Sequence, residues 1–307
     1  MTPPPDATGK QPPVSLHDEM TLAEAVRSAA DALRTAGIEG ASRDARALVA
    51  AAGHRQALDL IAQSEAPLGT GAAEHLAAML KRRIEREPVS RIVGEREFYG
   101  RAFKVTPATL DPRPDTETLV EAALEICGEA GAVQQPIRIL DIGTGSGCLI
   151  VTLLAELPAA SGTATDISEA ALAIASQNAS RHGVADRLRL RQADALDGVN
   201  ERYDLIVCNP PYIPSGDIPG LARDVRCYDP MSALDGGEEG LAVFHKIAPR
   251  LRMALGGSTK LGWALFEVGA GQAVLVQRLF AANGFTAFRT WVDLGGHTRC
   301  VAIQSLD

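Results

Sequence analysis

The sequence predicts an α/β fold: a mostly parallel sheet with helices on both faces and an antiparallel last strand, preceded by a small helical bundle and a β-hairpin. Three observations predict it. From Ile137 onward, short apolar runs alternate with helix-length stretches, the pattern of strands joined by crossover helices. Upstream, from Thr21 to about Leu80, apolar residues recur at helical spacing (Leu22, Ala25, Val26, Ala29, Leu33), with breaks at Gly37, Gly53 and Pro67-Leu68-Gly69. The last two apolar runs, near 285–292 and 299–304, are joined only by Asp293-Leu294-Gly295-Gly296-His297-Thr298, which suits a hairpin and not a crossover.

Taken in order, residues 1–15 form a Pro-rich polar tail, expected to be disordered. Residues 16–90 read as the helical domain; its last helix ends in the charged run Lys81-Arg82-Arg83-Ile84-Glu85-Arg86-Glu87 and is closed by Pro88. That run is either a solvated face or a partner-binding patch. Between 91 and 111, Phe98, Tyr99, Phe103 and Val105 flank Gly100, which predicts a hairpin linker. Residues 112–307 carry the sheet, with strands expected near 137–142, 162–166, 187–192, 203–208, 261–268, 285–292 and 299–304.

A chain of 307 residues is long enough for two domains, and 46% hydrophobic with 22% charged residues is a globular composition. The net charge of −8 gives no overall attraction to a phosphate backbone, so no direct nucleic-acid partner is expected. Cys127, Cys148, Cys208, Cys227 and Cys300 are scattered without CxxC spacing, and His17, His54, His75, His182, His245 and His297 lack ligand spacing. They read as free thiols and non-catalytic histidines, with no metal site. There is no run of apolar residues long enough for a membrane span and no basic, apolar leader, so a cytoplasmic location is expected.

The apolar run Arg138-Ile139-Leu140 leads into Asp141-Ile142-Gly143-Thr144-Gly145-Ser146-Gly147 and then a helix. Glycines let the backbone turn sharply and approach a ligand. The spacing is GxGxG, whereas the dinucleotide loop that cradles a pyrophosphate is GxGxxG, which argues against a nicotinamide cofactor. Asp141 adds a carboxylate suited to a cationic amino group and awkward beside a pyrophosphate. Asp166 closes the second strand, where an acid accepts ribose hydroxyls. Asp194, after the third strand, is placed to accept an adenine amine. Together these strand ends suggest one crevice for S-adenosyl-L-methionine.

The fourth strand runs directly into Asn209-Pro210-Pro211-Tyr212. Consecutive prolines fix φ and remove two donors, so the carbonyls of Asn209 and Pro210 stand out as acceptors. An amide or arylamine nitrogen is a poor nucleophile because its lone pair is delocalised. If the Asn209 side-chain oxygen and the Pro210 carbonyl accept its two N–H groups, the lone pair is held toward a methyl donor. Tyr212 is expected to pack on the flat face of the substrate group.

With Gly94-Glu95-Arg96-Glu97-Phe98-Tyr99-Gly100, Pro112-Arg113-Pro114-Asp115-Thr116-Glu117, Asp224-Val225-Arg226 and Asp229-Pro230, this motif resembles the release-factor glutamine methyltransferases, the HemK or PrmC family, over nearly the whole chain. The resemblance implies a Rossmann-like class I methyltransferase sheet. It implies methyl transfer to the glutamine of the Gly-Gly-Gln motif of peptide chain release factors, modulating translation termination, with the helical domain docking that protein. Gly143 to Gly147, Asp166 and Asn209 would bind the donor, and Asn209 to Tyr212 the glutamine. Two residues depart from the family pattern: Asp111 replaces a usual aliphatic residue, and Ala195 stands where some members place an aromatic near adenine. Alternatives consistent with the same residues are an adenine-specific DNA or RNA methyltransferase, a non-catalytic S-adenosylmethionine-binding module and, least compatible with the loop, a dehydrogenase.

Overall fold

The computed structural model describes residues 16–256 and 261–304; the tail 1–15 lies outside the described residues. The chain divides into two compact units, Met1–Val93 and Gly94–Asp307.

The smaller unit contains α1 (Leu22–Thr35), α2 (Ala41–Ala52), α3 (Asp59–Ala62), α4 (Ala72–Ile84) and α5 (Val89–Val93). Thr21 and Glu24 cap α1 reciprocally: Glu24 N donates to Thr21 Oγ1 at 3.2 Å, and Thr21 N donates to the Glu24 carboxylate at 2.8 Å. The buried stripe of α1 is Leu22, Ala25, Ala29, Ala30 and Leu33, while Val26 is only partly buried at its edge. The charged run ending α4 is engaged within the bundle. Arg82 pairs with Glu87 at 2.6 Å, Arg83 with the buried Asp44 at 2.8 Å, and Arg86 donates to the Gly37 carbonyl at 2.9 Å. These arginines brace the helices.

The larger unit opens with β1 (Glu95–Phe98) and β2 (Arg101–Lys104), an antiparallel hairpin turned through Tyr99 and Gly100 at positive φ. Phe98 and Phe103 enter the core, and the Asn178 side chain accepts from Lys104 N at 2.8 Å and donates to Lys104 O at 3.0 Å. Then follow α6 (Glu117–Glu129), β3 (Arg138–Ile142), α7 (Cys148–Glu156), β4 (Ser161–Asp166), α8 (Glu169–Arg181), β5 (Leu188–Gln192), β6 (Leu205–Cys208), α9 (Arg223–Tyr228), α10 (Ala242–Ala254), β7 (Trp263–Glu267), α11 (Ala273–Ala282), β8 (Ala287–Val292) and β9 (Thr298–Gln304).

Strand order is β5-β4-β3-β6-β7-β9-β8, parallel from β5 to β7. The reversed strand is the last one, β9, inserted between β7 and β8. The expected α/β sheet with an antiparallel last strand is therefore observed. Alternation along the strands builds two cores. Ile139, Leu205, Val207 and Leu265 pack with α6 and α7, whereas Leu140, Ile206, Cys208 and Phe266 pack with α10 and α11. Because both faces are buried, the strands read as continuous apolar runs. The strand expected at 203–208 starts at Leu205, since Tyr203 makes only an isolated bridge with Leu255. Among the described residues, no helix is long and apolar enough to cross a membrane.

Candidate active site

The C-terminal ends of β3, β4 and β6 meet at a cavity of about 350 Å³, within the usual size range of small-molecule sites. It gathers Gly143, Thr144, Gly145 and Ser146 after β3, Asp166 at the end of β4, Asp194 and Ala195 after β5, and Asn209, Pro210 and Pro211 after β6. This is the crevice position at which open α/β sheets bind ligands.

The loop after β3 is fixed from both sides. Gly143 N and Thr144 N both donate to the Thr165 carbonyl at 2.9 Å. Asp166 Oδ2 accepts from Gly145 N, and Oδ1 from Ser168 N, each at 2.9 Å. Each carboxylate oxygen of Asp166 retains further acceptor capacity. Gly143 and Gly145 have φ of 71° and 55°, and a Cβ at either would enter open space. Both therefore bare their backbone to the cavity. Gly147 serves packing instead, because a Cβ there would stand 3.1 Å from the Ala175 Cβ on α8.

Like Gly147, the sequence-derived positions Asp141 and Tyr212 are not on the cavity wall. Asp141 is fully buried and accepts from Thr144 Oγ1 at 2.6 Å; its other oxygen has no hydrogen-bond partner. Burial pushes its carboxyl up to about 7, opposed by the Thr144 hydrogen bond and reinforced by the charge of Asp166. It supports the loop from behind and is not among the residues lining the cavity. Tyr212 likewise turns away: its hydroxyl donates to Glu267 Oε1 at 3.3 Å. Burial and the neighbouring Glu267 push the phenol pKa up. Tyr212 is not among the residues lining the cavity. Asp194 sits at the rim, paired with Lys246 at 2.6 Å and about half exposed. Ala195 has φ 51°, so at this position the backbone turn brings the chain to the cavity and the side chain adds only a methyl.

A second wall, absent from the sequence-derived site, comes from Thr109, Leu110, Pro112, Arg113 and Thr116. Two ion pairs hold it: Arg113 to the buried Asp229 at 2.5 Å, and Asp115 to Arg299 at 3.0 Å. The buried Asp111 adds its N–H to Asp229 Oδ1 at 3.1 Å. Asn209 Nδ2 donates to Thr116 Oγ1 at 3.1 Å, leaving the amide oxygen as the acceptor beside the cavity that Asn209 lines. Glu267, at the end of β7, is 2% exposed. Burial raises its carboxyl to about 7, against the lowering effects of Thr116, Tyr212 and Arg299. One signal in the sequence pointed to Glu267: an acid ending an apolar strand at the ligand edge of the sheet.

The cavity suits a cationic, phosphate-free ligand. Its two cations, Arg113 and Lys246, are already paired with Asp229 and Asp194, and Asp166 adds negative charge. A glycine-lined crevice of this kind followed by Asn-Pro-Pro-Tyr at the next strand end is the arrangement of a Rossmann-like class I methyltransferase. Residues 130–219 match the methyltransferase small domain, and residues 24–94 match the PrmC N-terminal domain. The chain is 46% identical over 288 residues to a release factor glutamine methyltransferase of Cereibacter sphaeroides, covering 93% of this chain and 99% of the relative. It is 43% identical to that of Bradyrhizobium diazoefficiens, covering 93% and 95%. The protein belongs to the release factor glutamine methyltransferase family, the HemK or PrmC family, and is a methyltransferase. Its fold resembles the hMettl16 catalytic domain in complex with MAT2A 3'UTR hairpin 6, with a TM-score of 0.51, 14% identity, and coverage of 77% of this chain and 82% of that one.

Proposed function

We propose that this enzyme transfers a methyl group from S-adenosyl-L-methionine to the side-chain amide nitrogen of the glutamine in the Gly-Gly-Gln motif of peptide chain release factors, thereby modulating translation termination. One observation carries the reading: the Asn209 amide, pinned through its nitrogen to Thr116, faces the same cavity as the glycine loop. Bound S-adenosylmethionine supplies an electrophilic sulfonium methyl. Gly143 to Ser146 would hold the methionine part against bare backbone, with Gly147 closing the loop. Asp166 would accept the ribose hydroxyls, and Asp194 and Ala195 would flank adenine.

Asn209 Oδ1 and the Pro210 carbonyl accept the two N–H groups of the glutamine amide. This fixes its plane and presents the nitrogen lone pair to the donor side of the cavity. Pro210 and Pro211 contribute no N–H that would compete for the substrate oxygen. Tyr212 keeps the turn in place from below by its bond to Glu267. The small helical unit docks the release factor. Incubating the protein with S-adenosylmethionine and a release factor, followed by peptide mass spectrometry, is expected to show one methyl on the Gly-Gly-Gln peptide. An unmodified peptide, or a methyl found elsewhere, would overturn the reading.

A further inference from the structure

The cavity wall holds five charged residues: Arg113, Asp166, Asp194, Asp235 and Lys246. Lys246 and Asp194 offset each other within the wall at 2.6 Å. Among the described residues, Asp166 and Asp235 pair with no cation. Asp166 accepts from Gly145 N and Ser168 N, and Asp235 from Gly237 N at 2.9 Å and Ser215 Oγ at 2.6 Å. No acid of the wall pairs with Arg113.

The opposite charge reaches Arg113 from behind. Asp229, directly after α9, has a side chain only 3% exposed; its Oδ2 accepts from Arg113 Nη2 at 2.5 Å, and its Oδ1 from Asp111 N at 3.1 Å. Asp229 is not among the residues lining the cavity. Its influence on a bound ligand therefore runs through Arg113. The arginine has its own reason to be there, because it ties together two stretches of the wall. Arg113 belongs to the stretch 108–116, and Asp229 immediately precedes the stretch 230–235.

A cation in this wall bears on methyl transfer. S-adenosylmethionine carries a sulfonium charge, whereas S-adenosylhomocysteine, left when the methyl has gone, is a neutral thioether. The adenine, ribose, α-ammonium and carboxylate are common to both. An unpaired guanidinium would therefore disfavour the donor relative to its product. With the buried carboxylate against it, the pair is close to neutral, and Asp166 and Asp235 set the sign of the cavity.

We propose that Asp229 is a positioning residue: it is the buried counter-ion of Arg113, and by offsetting that cation it lets the cavity take the sulfonium donor. The proposal rests on the S-adenosylmethionine reading above.

Calorimetric titration of the full chain with S-adenosylmethionine and with S-adenosylhomocysteine reads this charge as the ratio of the two affinities. Asp229→Asn keeps the size and an acceptor oxygen for Asp111 N but removes the charge. Affinity for S-adenosylmethionine is expected to fall about fivefold or more beyond any change for S-adenosylhomocysteine, as for unit charges within about 10 Å in a partly desolvated cavity. Combining Arg113→Met with Asp229→Asn removes both charges, and the ratio is expected to return to the wild-type value even where loss of the link weakens both ligands. Equal losses for the two ligands in Asp229→Asn, loss of both included, would make Asp229 a structural brace and overturn the proposal. A double variant whose ratio stays as low as that of Asp229→Asn would overturn it too. Wild-type protein that binds neither ligand overturns instead the S-adenosylmethionine reading beneath it.

Discussion

Replacing Glu267 by Gln should stabilise the larger unit at alkaline pH. Burial raises this carboxyl from 4.5 to about 7. A group raised in the folded state contributes its full stability below the unfolded pKa and loses it as pH climbs through the folded one. The window therefore runs from about pH 4.5 to about 7. At about 1.4 kcal/mol per pKa unit, the shift amounts to a loss of up to about 3 kcal/mol across that window. Gln carries no charge and escapes it. Below pH 4.5 the two proteins should be nearly equal, and at about pH 8 the variant should be the more stable by up to that amount, reduced by whatever hydrogen bonding the amide fails to reproduce. Asp141, raised from 3.8 to about 7 for the same reason, keeps its own share of the pH dependence in both proteins. The variant's stability profile should thus be shallower than wild type without becoming flat. Both tryptophans, Trp263 and Trp291, lie in the larger unit, so urea titration followed by tryptophan fluorescence reads that unit. Parallel stability profiles for variant and wild type between pH 5 and 8 would show that Glu267 does not titrate as this burial requires.

Other substitutions separate the parts of the site. Asn209→Ala should cut turnover by about a hundredfold while changing donor affinity much less, because the lost acceptor orients the nitrogen during transfer; single-turnover methylation at wild-type rate would sink the orientation mechanism. Asp166→Ala should weaken S-adenosylmethionine binding at least about tenfold, since hydrogen bonds to a charged group are worth roughly 1.5–3 kcal/mol each. It also frees Gly145 N and Ser168 N, and calorimetric titration showing unchanged affinity would remove Asp166 from the donor site. Ala195→Gly should stabilise the protein by about 0.5–1 kcal/mol, as left-handed backbone strain is relieved; a lower melting temperature would show that the methyl's packing outweighs the strain.

Much of this site was legible because it is local. The run into Gly143-Thr144-Gly145-Ser146-Gly147 fixes a strand, a turn and a helix start within a dozen residues, and Asn209-Pro210-Pro211 follows its strand without a gap. Parallel strands buried on both faces are also easy to find, although Tyr203 extends the apparent strand beyond its ladder. Orientation was less legible. Position at a strand end suggested that Asp141 faces a ligand, yet side chains alternate along a strand, and Asp141 shares the face of Ile139, packed toward α7. Applying the alternation to the sequence would have placed it correctly. The same rule puts Glu267 on the face of Leu265, the α6 side, where the turn carrying Thr116 arrives.

The contacts behind Asn209 had no such route. Asn209 and Thr116 are 93 residues apart, and Tyr212 and Glu267 are 55 apart, so no spacing in the sequence encodes them. Their energetics explain why they are not a packing accident. A carboxyl raised to about 7 by burial destabilises the fold most when it is ionised. An apolar residue at the end of β7 would remove the stability cost and with it the acceptor that holds the Tyr212 hydroxyl. The cost falls beneath the turn that carries Asn209 to Tyr212, as expected of groups held for function against local stability.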